Sequence, residues 1–172
     1  LSTGGRLAGT CGVADTGRDC VMRHCPVSAA LASGLMHRCV DCNDISWKQD
    51  PAHQSDSFPA GLACGEGAKS DGEALIVGLV VGHEFEMRFC EAAFPGIRER
   101  GWHHATLTAF VSPIVAGRAI HLGWEQIQHA IGISASRHAT LGAVTAGKLT
   151  MMKNTVDPMA TQSGVLAALW AE

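Results

Sequence analysis

The longest continuous helical pattern in the chain is SDGEALIVGLVVGHEFEMRFC, residues 70–90. Ser70 and Glu73 form an S-x-x-E pair, the capping box that predicts where this helix begins. The first half of the segment is apolar on nearly every side, which predicts a central, buried helix. Gly78 and Gly82 are four residues apart and share one side, so a second helix can approach closely there.

Further helices are predicted on both sides of this segment. Pro26 and Pro59 each stand in the first turn of one, where a missing N–H does no harm. Asp157-Pro158 is typical of an N-cap followed by proline at the first helical position. Residues 135–156 are irregular, and no alternating strand pattern of any length appears. The predicted class is therefore an all-α helical bundle, with helices over residues 26–40, 56–66, 70–90, 105–121, 124–134 and from 157 onward.

The composition limits the classes of function. The 172 residues are 47% hydrophobic and 17% charged, which excludes intrinsic disorder. The net charge of −3 offers no basic surface for nucleic acid. The longest apolar run, residues 74–82, is too short to span a membrane. Neither nucleic acid nor membrane is expected as a partner.

The seven cysteines are odd in number and irregularly spaced, unlike a secreted disulfide scaffold. Residues 1–12 lack a signal-peptide pattern, so a reduced, cytoplasmic location is expected, or a mitochondrial one in a eukaryote. Cys39 and Cys42 form a single CxxC, which Cys20, His24 and Cys25 could complete as a zinc site. Buried or incidental thiols are favoured over this alternative, and no metal is expected.

Residues 41–56 form the first of three polar segments. They hold Asp41, Asn43, Asp44, His53 and Asp56 within sixteen residues. Carboxylates grouped around a histidine can orient its ring and tune its pKa, which suits general acid–base chemistry. A solvated turn is the alternative interpretation.

The other two polar segments supply groups that could bind an anion. His103 and His104 stand at a predicted helix start, where free N–H groups can hold a carboxylate. Lys148 and Lys153 precede the last helix. Satisfied histidines and solvated lysines are the alternatives. The chain has no G-x-S-x-G elbow, phosphate loop or dinucleotide fingerprint.

Three long stretches resemble the MmgE/PrpD family, which includes 2-methylcitrate dehydratase. They are VDCNDISWKQDPAHQSDSFPAGLAC (residues 40–64), GWHHATLTAFV (101–111) and HAIGISASRHATLGAVTAGKLTMMKNTVDPMATQSGVLAALW (129–170). The first is similar to the family's D-x-N-D-T-aromatic stretch and its P-A-H-P-S-D run. The resemblance covers almost the whole chain beyond the first few residues.

The resemblance implies a large helical domain, a smaller α+β domain and usually a dimer. Residues 1–172 are then expected to be a single, incomplete helical domain, with the second domain outside this chain and a homodimer in the full-length protein. The family acts on small di- and tricarboxylates without a metal or iron–sulfur cluster, so no cofactor is expected.

The resemblance also implies roles for individual residues. Asp41 and His53 are expected to act as an acid–base pair, and His104 and Lys153 to hold substrate carboxylates; His103 is the alternative to His104. The remaining expected substrate-binding residues are Asn43, Asp44, Ser55, His103 and Lys148.

The sequence departs from the family pattern at three positions. Ile45 stands in place of the usual threonine, Ser46 in place of the aromatic residue, and Gln54 in place of a proline. Isoleucine cannot donate the hydrogen bond of a threonine hydroxyl. The expected function is dehydration of 2-methylcitrate or a related tricarboxylate. The alternatives are a cis-aconitate decarboxylase-like or other carboxylate enzyme of the family, a truncated non-catalytic remnant, and a thiol or zinc module.

Overall fold

Six α-helices dominate residues 25–172, the part of the chain that this computed structural model describes, and confirm the all-α class. Among these residues the only sheet is a short antiparallel hairpin, which the sequence pattern did not reveal because each strand has two residues. The elements are α1 (Pro26–Arg38), β1 (Ser46–Trp47), β2 (Pro51–Ala52), α2 (Phe58–Ala68), α3 (Gly72–Ala92), α4 (Ala105–Ala119), α5 (Trp124–Arg137) and α6 (Met152–Ala171).

The central helix is α4. It is buried on nearly all sides and packs against α2, α3, α5 and α6. Its contact with α6 is close, because a Cβ at Gly164 would lie 2.5 Å from the Cβ of Ser112 and 2.8 Å from Pro113. This close packing fixes α6 along α4 and brings the beginnings of the two helices together.

The expectation that residues 70–90 form the central, buried helix was wrong. Helix α3 lies at the side of α4, and Ile76 and Val80 are 62% exposed. Only one row of α3 is buried, which includes Gly78 and Gly82. The predicted close approach along these glycines is confirmed, since a Cβ at Gly82 would meet Val115 at 2.4 Å.

The predicted capping box is also wrong. Asp71 is the N-cap of α3, and its Oδ1 accepts a hydrogen bond from the Ala74 N–H at 2.9 Å. The hydroxyl of Ser70 instead donates to the carbonyl of Ala119 at 2.5 Å, which ties the helix start to the end of α4.

Helix α6 begins at Met152, five residues before the predicted start. Asp157 is therefore not a cap but a buried side chain inside the helix. Pro158 removes one backbone hydrogen bond, and tight packing offsets that loss. A Cβ at Gly34 of α1 would lie 3.1 Å from the Pro158 Cβ, so the two helices are in close contact there.

The helix predicted over residues 124–134 is confirmed as α5, which buries Ala130 and Ser134. Within residues 25–172 no helix combines the length and apolar character that a membrane span requires.

Candidate functional site

A cluster of polar side chains lies where the loop between α1 and α2 packs over the first residues of α4 and α6. Three separate parts of the sequence supply this site, and the close packing of α4 on α6 holds them together. Its side chains are those of Arg38, Asp41, Asn43, Asp44, His53, Ser55, Asp56, His103, His104, Lys153 and Asp157.

Hydrogen bonds within the loop give it a defined shape. The Asn43 amide donates to Asp56 Oδ1 at 3.0 Å and to the Ser55 hydroxyl at 3.2 Å. The Ser55 N–H donates to Asp44 Oδ1 at 3.0 Å. Asn43, Asp44 and Ser55, expected to bind substrate, thus bond to one another and hold the loop in place.

His53 has one ring nitrogen occupied and one free. Its Nδ1 lies 2.5 Å from the carbonyl oxygen of Asp44. A carbonyl oxygen can only accept, so Nδ1 carries the proton of the neutral ring and Nε2 has an available lone pair. Nε2 has no hydrogen-bond partner among residues 25–172. The half-buried ring meets that of His104 edge to face, with centroids 4.8 Å apart.

His103 is a neutral histidine whose ring packs beside that of His104. Burial and the neighbouring His104 lower its pKa to about 4. Its Nδ1 accepts from the Ala105 N–H at 3.2 Å, which leaves Nε2–H as a donor. The next N–H groups of α4, those of Thr106 and Leu107, bond to the carbonyls of His103 and His104. The first N–H groups of this helix are therefore already used within the chain.

Lys153 and Asp41 are brought together from distant parts of the sequence. The Lys153 ammonium donates to Asp41 Oδ2 at 2.6 Å. This hydrogen bond, with the charges of Lys153 and Arg38, holds the pKa of Asp41 below its usual range despite the opposing effect of burial. Asp41 therefore stays ionised at neutral pH and has no proton to give, so in the expected acid–base pair with His53 it could act only as a base.

Arg38 joins the loop to α6 and was missed by the sequence analysis. Its guanidinium lies 3.5 Å from Asp56 and 3.3 Å from Asp157, and its side chain is 4% exposed. A third carboxylate, Asp41, is 3.9 Å away. Arg38 and these three carboxyls form one charge network. Removing the arginine or a carboxylate paired with it would leave a charge without its partner.

The two buried carboxyls of this network differ in protonation. Burial and the charge of Asp157 raise the pKa of Asp56 to about 9. Burial opposes ionisation of Asp157 too, but His104 and Arg38 outweigh it and hold the pKa of Asp157 below its usual range. At neutral pH Asp56 carries the proton and Asp157 the negative charge.

Glu86 of α3 is a second titratable group that the sequence analysis did not single out. It is 2% exposed, and burial together with the charges of Asp44 and Asp157 raises its pKa to about 8. The signal was available in the sequence, because Glu86 continues the four-residue spacing of Gly78 and Gly82 along the buried side of the helix.

Glu86→Gln is expected to remove a pH dependence of stability. Wild-type Glu86 stays protonated up to about pH 8 in the fold, whereas its unperturbed pKa is 4.5. The unfolded chain then binds fewer protons, so stability falls as pH rises between these values. In urea unfolding, we expect wild type to lose about 2 kcal/mol relative to the variant between about pH 6 and about pH 7.5. Parallel curves would contradict this, and Glu99→Gln, at an exposed position, is the control.

Lys148 and the cysteines within residues 25–172 are not brought into the site. Lys148 is exposed and makes no ion pair with any residue of the described range 25–172. Cys39 and Cys42 are free and exposed, and neither belongs to a cluster of ligands in the described part. Cys20 and His24, which could have completed a zinc site, lie outside the described residues.

One group in the described range could offer three ligand atoms to a metal ion. His103, His104 and Asp157 place these atoms within 4.8 Å of one another. However, the Arg38 guanidinium stands 3.3 Å from the Asp157 carboxylate. This fixed positive charge disfavours a cation at the same carboxylate.

A pocket of about 310 Å³ lies at the opposite end of α4, away from these polar groups. Cys64, Ile120 and Leu169 form part of its wall, and its imidazole and carboxylate groups are those of His121 and Glu172. A single histidine and a carboxylate do not suit a ligand with several negative charges. The cluster at the beginnings of α4 and α6 is the better candidate for a carboxylate site.

Comparison with known proteins agrees with the resemblance found in the sequence. The family model for the MmgE/PrpD N-terminal domain matches residues 4–172, nearly the whole chain. No curated protein matches this chain.

Proposed function

Because the chain belongs to the MmgE/PrpD family, we propose that it is the helical part of a hydro-lyase that dehydrates 2-methylcitrate, or a related tricarboxylate, to 2-methyl-cis-aconitate. The family includes hydro-lyases. The observation that carries the proposal is His53, whose Nε2 is free beside the Lys153–Asp41 pair and the ring of His104.

Dehydration needs a base for the C–H proton, an acid for the leaving hydroxyl, and positive charge that binds the substrate carboxylates. His53 Nε2 removes the proton from the carbon next to a carboxylate, and the electron pair of that C–H bond forms the double bond. The hydroxyl on the neighbouring carbon leaves with a second proton as water. Asp41 is held ionised, so the Lys153 ammonium, fixed by Asp41, is the proton donor in this scheme.

Substrate carboxylates are held by side chains rather than by the helix N-terminus. The first N–H groups of α4 are already bonded within the chain. His104, with His103 Nε2–H beside it, and Lys153 are the donors available for this role. Since the His104 ring lies against that of His53, a carboxylate bound by His104 would place its neighbouring carbon near the base.

Lys153→Ala in the full protein is expected to lower kcat/KM for 2-methylcitrate about 100-fold, because it removes the proton donor and the hydrogen bond to Asp41. The formation of the unsaturated product is followed by its absorbance. The control is Lys48→Ala, which breaks an exposed pair with Glu91 and should change the rate less than about twofold.

The same assay distinguishes the alternatives. Decarboxylation of cis-aconitate without any dehydration of 2-methylcitrate would overturn the proposal and favour a decarboxylase-like enzyme. No turnover of either compound would favour a non-catalytic family member, to which the apolar Ile45 at the threonine position points.

A further inference from the structure

We propose that Asp157 is a positioning residue for His104, and that Arg38 holds Asp157 in the orientation this requires. The inference rests on the proposed function, in which His104 contacts a substrate carboxylate. Asp157 itself touches no substrate in this scheme. It acts through the imidazole ring of His104.

The two oxygens of Asp157 face two different partners. Oδ1 lies 3.5 Å from His104 Nε2, and Oδ2 lies 3.3 Å from Arg38 Nη2. The Asp157 side chain is fully buried. Pro158, which packs on α1, fixes the position of Asp157 in α6. The Arg38 guanidinium at Oδ2 then favours the orientation in which Oδ1 faces the His104 ring.

Neither side of the His104 contact has another hydrogen-bond partner. His104 Nε2 and both Asp157 oxygens are buried without one among residues 25–172. Buried polar atoms in folded proteins are nearly always hydrogen-bonded. A buried ring nitrogen and carboxylate oxygen that face each other without forming a hydrogen bond therefore need an explanation. Hydrogen bonds in active sites are often long in the free enzyme and shorten when substrate binds. The 3.5 Å separation fits a contact that closes on binding.

Asp157 supplies the buried negative charge that pairs with Arg38, because Asp56, 3.5 Å from the guanidinium, is protonated at neutral pH. Placing two carboxyls against one guanidinium in the interior is costly, and here the charge resides on the one that faces His104. An ionised Asp157 accepts from Nε2–H, which sets the ring orientation. A His104 that also donates Nδ1–H to a substrate carboxylate does so as the imidazolium, whose positive charge Asp157 offsets.

The test is ¹⁵N NMR of the histidine ring nitrogens in the full protein, with the His104 signals assigned by their absence in His104→Gln. In wild type we expect the Nε2–H form of His104. In Asp157→Asn the amide can donate to Nε2, so the ring proton should move to Nδ1. The chemical shift typical of a protonated nitrogen should then be seen at Nδ1 and that of an unprotonated nitrogen at Nε2. The KM for 2-methylcitrate should rise about tenfold with a smaller change in kcat.

The matched control is Asp56→Asn, which alters the other carboxyl on Arg38. Asp56 is already protonated and does not face His104, so its amide analogue should leave the His104 signals unchanged. Thermal unfolding of both variants checks that they fold. If Asp157→Asn does not fold, wild type still decides the question, because a His104 ring in the Nδ1–H form would overturn the proposal.

The outcomes separate this inference from the proposed function. Unchanged ring signals and an unchanged KM in folded Asp157→Asn would defeat the positioning role alone. Wild type that shows the expected ring form but does not dehydrate 2-methylcitrate would defeat the proposed function, while the contact between Asp157 and His104 would stand.

Discussion

Replacing Arg38 with methionine is expected to lower the free energy of unfolding by about 3–5 kcal/mol. Methionine fills the space of the aliphatic stem but leaves Asp157 as a buried negative charge facing only His104. Asp56 loses the same partner. The loss is measured by urea unfolding at neutral pH, where Asp157 carries its negative charge.

The control for this prediction is a second arginine pair on the surface. Arg88 donates to Glu84 at 2.7 Å one turn away on α3, and both side chains are more than half exposed. Arg88→Met should therefore change stability by less than about 0.5 kcal/mol. Adding Asp157→Asn to Arg38→Met should recover part of the loss, because the uncompensated charge is then removed. An Arg38→Met variant within about 1 kcal/mol of wild type would show that the network does not stabilise the fold.

His53→Gln is expected to lower kcat/KM for dehydration about 10³-fold, within the usual range for a general base. Glutamine can still donate to the Asp44 carbonyl, as Nδ1–H of His53 does. It has no basic nitrogen at the position of Nε2, so proton removal fails while the loop keeps its hydrogen bond. The rate is measured in the same absorbance assay.

A matched histidine variant separates this effect from a general loss of the fold. His129 is exposed on α5, and His129→Gln should alter the rate less than about twofold. The urea midpoint of His53→Gln should stay close to that of wild type, since the ring is only half-buried. More than about a tenth of wild-type activity in His53→Gln would rule out His53 as the base.

The sequence predicted the helices better than their places in the bundle. Proline positions and apolar spacing located every helix to within a few residues, except at the start of α6. Neither signal says which helix is surrounded by others. Helix α4 is the surrounded helix because mostly small and β-branched side chains let other helices pack on nearly all its sides, whereas α3 buries one row that includes Gly78 and Gly82.

The site was predictable where its polar residues stand in polar segments of the sequence and hidden where they stand within apolar helical patterns. His53, His104, Asp41 and Lys153 stand in polar segments, and the structure brings them together. Asp157 was missed because Asp-Pro imitates a helix start. Its partnership with Arg38 depends on tertiary packing alone.

The spread of the site along the chain ties it to the completion of folding. Asp41 and Lys153 are 112 residues apart, and the Thr161 hydroxyl that bonds to the Asp56 carbonyl lies 105 residues further along the chain. Closing a loop of that length costs about 4 kcal/mol in chain entropy. Lys153, the cation that α6 supplies to the loop between α1 and α2, reaches Asp41 only when α6 docks on α4. Undocking of α6 alone would separate Lys153 from Asp41 while the hydrogen bonds within that loop persist, so the acid and the base are coupled through the last helix.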